Sequence, residues 1–149
     1  MNSEDFYAYI FNKSRYNKLL EIAVSSKLYD YAMIVVWQSF MLFLYEKIRQ
    51  NKIEAIEPAW LQVFQKNALP DVKGSSLYWA NEYDDDKILT FVSKLYKNVD
   101  SNVFKAARSA KRKRDIAAHV SDMSFDERAI EPFVYVRTGL MDKIQESHS

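Results

Sequence analysis

The sequence of 149 residues contains no cysteine. Disulfides, thiolate metal centres and cysteine nucleophiles are therefore excluded together. Glycine is nearly absent too, at Gly74 and Gly139 only, so no Gly-rich phosphate loop or dinucleotide-binding turn can be built. With three prolines besides, few turns needing positive φ are possible and long helices can run unbroken. No serine–histidine hydrolase elbow is present. The longest apolar run, Tyr31 to Tyr45, is broken only by Gln38 and Ser39 and bounded by Asp30 and Glu46. It falls short of the roughly 20 residues that span a bilayer and reads as a helix buried in the middle of a bundle. No membrane partner is expected. Met1 to Asp5 is polar and acidic, without a basic or apolar leader region, so a cytoplasmic location is expected.

Apolar residues make up 48% and aromatics 15% of the chain. That is ample material for one packed core, and the length suits one domain over residues 1–149. The net charge of +1 says little, but its distribution says more. Between Ser101 and Arg114 lie six basic residues and no acid, namely Lys105, Arg108, Lys111, Arg112, Lys113 and Arg114. Just upstream, Glu82, Asp84, Asp85 and Asp86 form an acidic run. Charge is segregated along the chain.

Periodicity predicts helices throughout. The first starts after Asn2 or Ser3 and runs to Ser25. The second runs from Asp30 to Asn51. A third begins at Pro58, carries Trp60, Leu61 and Phe64, and ends at Leu69-Pro70. The stretch from Asp71 to Asp84 reads as a loop that Trp79 docks on the core. A fourth helix covers Asp85 to Asn98, with Ile88, Phe91, Val92 and Leu95 at helical spacing. Asp100 or Ser101 caps a fifth, on which Val103, Ala107, Ala110, Arg114 and Ala117 form one stripe. A sixth starts at Ser124, where Ser124-Phe125-Asp126-Glu127 matches a capping box, and is kinked or restarted at Pro132 on its way to Gln145. The expected fold is all-α, an antiparallel bundle of about five to six helices.

One segment, Arg114-Asp115-Ile116-Ala117-Ala118-His119, carries residues suited to chemistry. Arg114 sits on an otherwise apolar stripe and must find a partner, because an unpaired buried guanidinium is costly. Two partners suit it: an acid on another helix, or a phosphate, which matches its planar donor fork. Asp115 and His119 are four residues apart and share a helix face, so the carboxylate can orient the imidazole. An ordinary surface ion pair satisfies the same spacing. Asp84, Asp85 and Asp86 are more simply read as partners of a helix N-terminus than as a metal site. No metal and no cofactor are expected.

This segment resembles the motif of the HEPN family: an arginine followed by a polar residue, four to six residues in all, then a histidine, late in a helical chain. The resemblance implies a HEPN-like bundle and a metal-independent ribonuclease, of the kind found in toxins and phage-defence effectors. It implies a homodimer in which two copies of Arg114 and His119 surround one RNA phosphate. Arg114 would clamp the transition state, His119 would act as acid or base, and Asp115 would orient. Lys105, Arg108, Lys111, Arg112 and Lys113 would line the approach of RNA, or form a solvated basic face. A neutralising antitoxin or other regulatory protein is a further implied partner. HEPN toxins paired with a small nucleotidyltransferase carry a tyrosine two residues after the histidine, where this chain has Ser121. The alternative is a catalytically silent HEPN-like module that binds a protein or a nucleotide.

Overall fold

The computed structural model of the chain describes residues 15–65, 68–74, 79, 82–119 and 124–146. These form an all-α bundle of six α-helices and one short 3₁₀ helix, with no strand among the described residues. The expected start of the first helix, at Asn2 or Ser3, lies outside them.

Helix α1, Arg15–Ser25, ends without a glycine. The Leu28 N–H reaches the Ala23 carbonyl at 2.7 Å and the Lys27 N–H reaches Val24 at 3.0 Å. This is the Schellman pattern, in which the residue just past the helix must take a left-handed conformation. Here that residue is Lys27, at φ 57°. Helix α2, Tyr29–Gln50, follows at once and is the centre of the molecule. It packs against α1 and against most of the later helices of the bundle. That explains why its sequence is apolar almost all round, with Met33, Trp37, Phe40, Leu44 and Ile48 in the core.

Helix α3 is Ile53–Phe64, so Pro58 lies inside it and does not begin it. The apolar spacing of Ile56, Ala59, Trp60 and Phe64, all buried, extends across the proline. Packing of that stripe outweighs the one backbone hydrogen bond that proline cannot donate. The helix also stops at Phe64, before Leu69-Pro70, through Gln65 at φ 49°. Trp60 is the hub of an aromatic cluster. It stacks on Phe64 at a ring distance of 3.9 Å and meets Tyr83, Phe91 and Trp79 edge to face. Trp79 also meets Tyr45 of α2 edge to face, so Trp79 itself docks on the core as expected.

Helix α4, Asp85–Leu95, is capped by Asp84, whose side chain accepts from the Asp86 N–H. Helix α5, Ser101–Ala118, is capped by Asp100, which accepts from the Asn102 N–H. Its stripe of Val103, Ala107 and Ala110 is buried, and the small side chains let α5 lie close to α2 and to the last helix. That last element differs from expectation. Asp126, not Ser124, is the cap, and it opens a 3₁₀ turn at Glu127–Ile130. Helix α6 then runs Glu131–Glu146. Pro132 sits in its first turn, where a missing N–H leaves nothing unsatisfied. No helix among the described residues is long and apolar enough to cross a membrane.

Candidate functional site

The acidic and basic runs, separate in sequence, meet in the fold. Helix α4 packs against α5, which brings the N-terminus of one beside the C-terminal half of the other. Asp85 Oδ2 accepts from the Trp37 indole N–H at 2.8 Å and from Arg114 Nη2 at 3.2 Å. Arg114 Nη2 is also 3.0 Å from Asp115 Oδ1. The guanidinium lies over the Trp37 ring, 5.8 Å from its centroid, within range of a cation–π attraction. Arg114 is thus fixed by two carboxylates and an aromatic face. Its Nε atom is buried and meets no acceptor among the described residues.

Lys111 is held by the same acids, with its ammonium 3.0 Å from Asp86, 3.5 Å from Asp115 and 3.7 Å from Asp84. Burial alone would lower its pKa, but the carboxylates of Asp86, Asp115 and Asp84 outweigh burial and raise it. The ammonium therefore stays charged and offsets part of the negative charge of the cluster. Asp84, Asp85 and Asp86 are engaged with a helix N-terminus, an indole, a guanidinium and this ammonium. Among the described residues no group of three or more histidines, aspartates or glutamates is arranged to hold a metal ion.

His119 ends α5 as its C-cap, with its own N–H on the Ile116 carbonyl at 3.4 Å. Its imidazole is exposed. Asp115 is committed to Arg114 and Lys111, and no hydrogen bond or ion pair joins it to His119. A step of five residues separates Arg114 from His119 by about 7.5 Å along the helix axis and roughly 140° around it. One copy of the chain therefore presents the cation and the imidazole on different sides of one helix end.

Of the other basic residues, Arg108 is tied by Nη2 to Thr90 Oγ1 at 2.8 Å. Lys105, Arg112 and Lys113 are exposed on α5. Residues the sequence reading passed over are Trp37 and Asp85 as the fixings of Arg114. The acid–base pairing had a signal, since a lone arginine on an apolar stripe calls for a carboxylate. The tryptophan had none, because it lies within a uniformly apolar helix. No family model matches the chain, and neither the curated proteins nor the solved structures contain a match to it.

Proposed function

We propose that this chain is a HEPN-like, metal-independent endoribonuclease whose active site forms between two copies of itself. The observation that carries the proposal is the end of α5, where a guanidinium held in place by Asp85, Asp115 and Trp37 sits one and a half turns before an exposed histidine. Preorganisation of the cation matters because a charge that must be gathered during the reaction stabilises the transition state less. Ile116, exposed beside His119, supplies apolar surface for a second copy at the same end.

In this reading one His119 takes the proton from a ribose 2′-hydroxyl, and the 2′-oxygen forms a bond to phosphorus. The bond to the 5′-oxygen breaks, and the partner copy's imidazole gives that oxygen a proton. The Arg114 guanidinium carries the charge of the phosphorane between them. The products are a 2′,3′-cyclic phosphate and a 5′-hydroxyl. Asp115 acts here on Arg114 rather than on the histidine. Lys105, Arg112 and Lys113 draw RNA in. The reading extends to a role as a toxin or defence effector, restrained by a regulatory protein.

The test is incubation of the purified chain with single-stranded RNA in excess chelator. Cleavage to cyclic-phosphate ends, abolished by His119→Ala and by Arg114→Ala, supports the proposal. Intact RNA at every protein concentration contradicts it. The second reading, a catalytically silent module that binds a protein or nucleotide, is favoured by one observation: Arg114 is already paired with two carboxylates, Asp85 and Asp115. A wild-type chain that binds RNA or a nucleotide without cutting would move the weight there.

A further inference from the structure

The sequence points to the whole basic run of α5 as a polyanion surface, but the fold divides it. Lys111 and Arg114 are ion-paired with the acids of α4. At the other end of the same two helices the charge is unopposed. A cleft of about 420 Å³ opens between the C-terminal end of α4 and the N-terminal half of α5. Lys94, Lys97, Lys105 and Arg108 line it, over an apolar floor that includes Val99 and Phe104. Lys94 and Lys97 come from α4 and the turn after it, and both are exposed.

Among the described residues no carboxylate lines this cleft. The nearest acid in sequence, Asp100, is engaged in capping α5 through the Asn102 N–H at 2.8 Å. Among the described residues, Lys94, Lys97 and Lys105 form no ion pair. Four cations converging on one concave surface repel each other unless an anion lies between them. Arg108 is already oriented, because Thr90 holds one arm of its fork. The floor is too deeply buried to stack bases, with Phe104 only 3% exposed, so the cleft is built to read phosphates and not bases.

We propose that this cleft holds backbone phosphates of single-stranded RNA, with Lys94 and Lys97 as binding residues alongside Lys105 and Arg108. The choice of RNA over other polyanions rests on the ribonuclease reading above. The helix gives the path: Arg108 precedes Arg114 by six residues, roughly 9 Å along the axis, and Lys105 precedes His119 by about 21 Å. A strand seated in the cleft and followed along α5 reaches the end that carries the reacting groups.

The test measures binding apart from cleavage. A fluorescent single-stranded RNA is titrated with the His119→Ala chain, and the titration is repeated over a series of salt concentrations. In that background, Lys94→Gln, Lys97→Gln and Lys105→Gln are combined. A control combines Lys18→Gln, Lys27→Gln and Lys52→Gln, which removes the same charge elsewhere. Loss of three phosphate contacts lowers the slope of log affinity against log salt by about 2, and weakens binding roughly tenfold or more at moderate salt. The control stays within about twofold, as expected for charge loss away from the contact. Should the triple variant melt early, Lys94→Gln and Lys97→Gln singly each lower the slope by about 0.7. Equal weakening by both triples, no weakening by the cleft triple, or no RNA binding by the His119→Ala chain overturns the proposal. Wild-type cleavage is scored in parallel. Cutting with an unaffected cleft variant rejects the cleft alone, and cleft-dependent binding without cutting rejects the nuclease alone.

Discussion

Asp85 Oδ2 lies 3.2 Å from Arg114 Nη2, joining the first residue of α4 to the C-terminal half of α5 across 29 positions of sequence. The same oxygen accepts from the Trp37 indole, so one carboxylate ties three helices together. Removing it leaves the indole without its acceptor and the guanidinium with Asp115 alone. Asp85→Ala is expected to lower stability by about 2–4 kcal/mol, because a half-buried guanidinium and an indole N–H lose a shared acceptor. Adding Arg114→Met to that variant is expected to recover part of the loss, since a partly buried charge that has lost one of its two carboxylates goes with it. Urea unfolding of the single and double variants checks both. Equal stability of Asp85→Ala and wild type would show that the pair contributes nothing.

The Tyr96 phenol marks a second link between α4 and α2, and it makes stability depend on pH. It accepts from Asn51 Nδ2 at 2.7 Å and donates to the Lys47 carbonyl at 3.2 Å. Burial raises its pKa from 10.0 to about 12, against a smaller lowering by the Asn51 hydrogen bond. The folded chain therefore holds this proton to higher pH than the unfolded chain does. Stability is full below pH 10.0 and is lost as pH rises from there towards about 12. Tyr45, whose pKa is raised by burial and by the charge of Asp85, acts in the same direction. Tyr96→Phe is expected to be less stable than wild type by about 1 kcal/mol at pH 7, from the lost hydrogen bonds. The deficit should shrink above pH 10, because only the wild type has this phenol to ionise. Chemical unfolding at pH 7 and pH 11 gives the two differences.

Lys27 occupies a left-handed position at φ 57° that the Schellman turn after α1 imposes. A side chain there is strained by contact of its Cβ with the backbone. Lys27→Gly is expected to raise stability by about 0.5–1 kcal/mol. A melting curve with no change, or a lower midpoint, would count against the turn as described.

Most of the fold was legible because its signals are strong and local. The apolar run from Tyr31 to Tyr45 announced a central helix, and the acids at Asp84 and Asp100 announced the starts of α4 and α5. The misplaced boundaries have separate causes. Pro58 has a strong breaker reading, but burial of Ile56 on its N-terminal side overrides it. The end of α3 at Gln65 uses positive φ without glycine, so composition carries no mark of it. Ser124 fits a capping box by residue type, yet Asp126 two positions later does the capping.

At the candidate site, the need of Arg114 for a partner was legible and the identity of that partner was not. The two charged runs looked like separate features until packing of α4 on α5 superposed them. The same packing explains why Lys94 and Lys97 were missed, since they neighbour Lys105 and Arg108 only in space.

Subunit mixing tests the two-copy nuclease most directly. Wild-type chain is unfolded and refolded with a ninefold excess of the His119→Ala chain, and RNA cleavage is measured per wild-type chain. If each reaction needs an imidazole from both copies, random pairing leaves about one wild-type chain in ten with a competent partner, and the rate per wild-type chain falls roughly tenfold. An unchanged rate per wild-type chain would contradict the account, because each copy would then be cutting RNA alone.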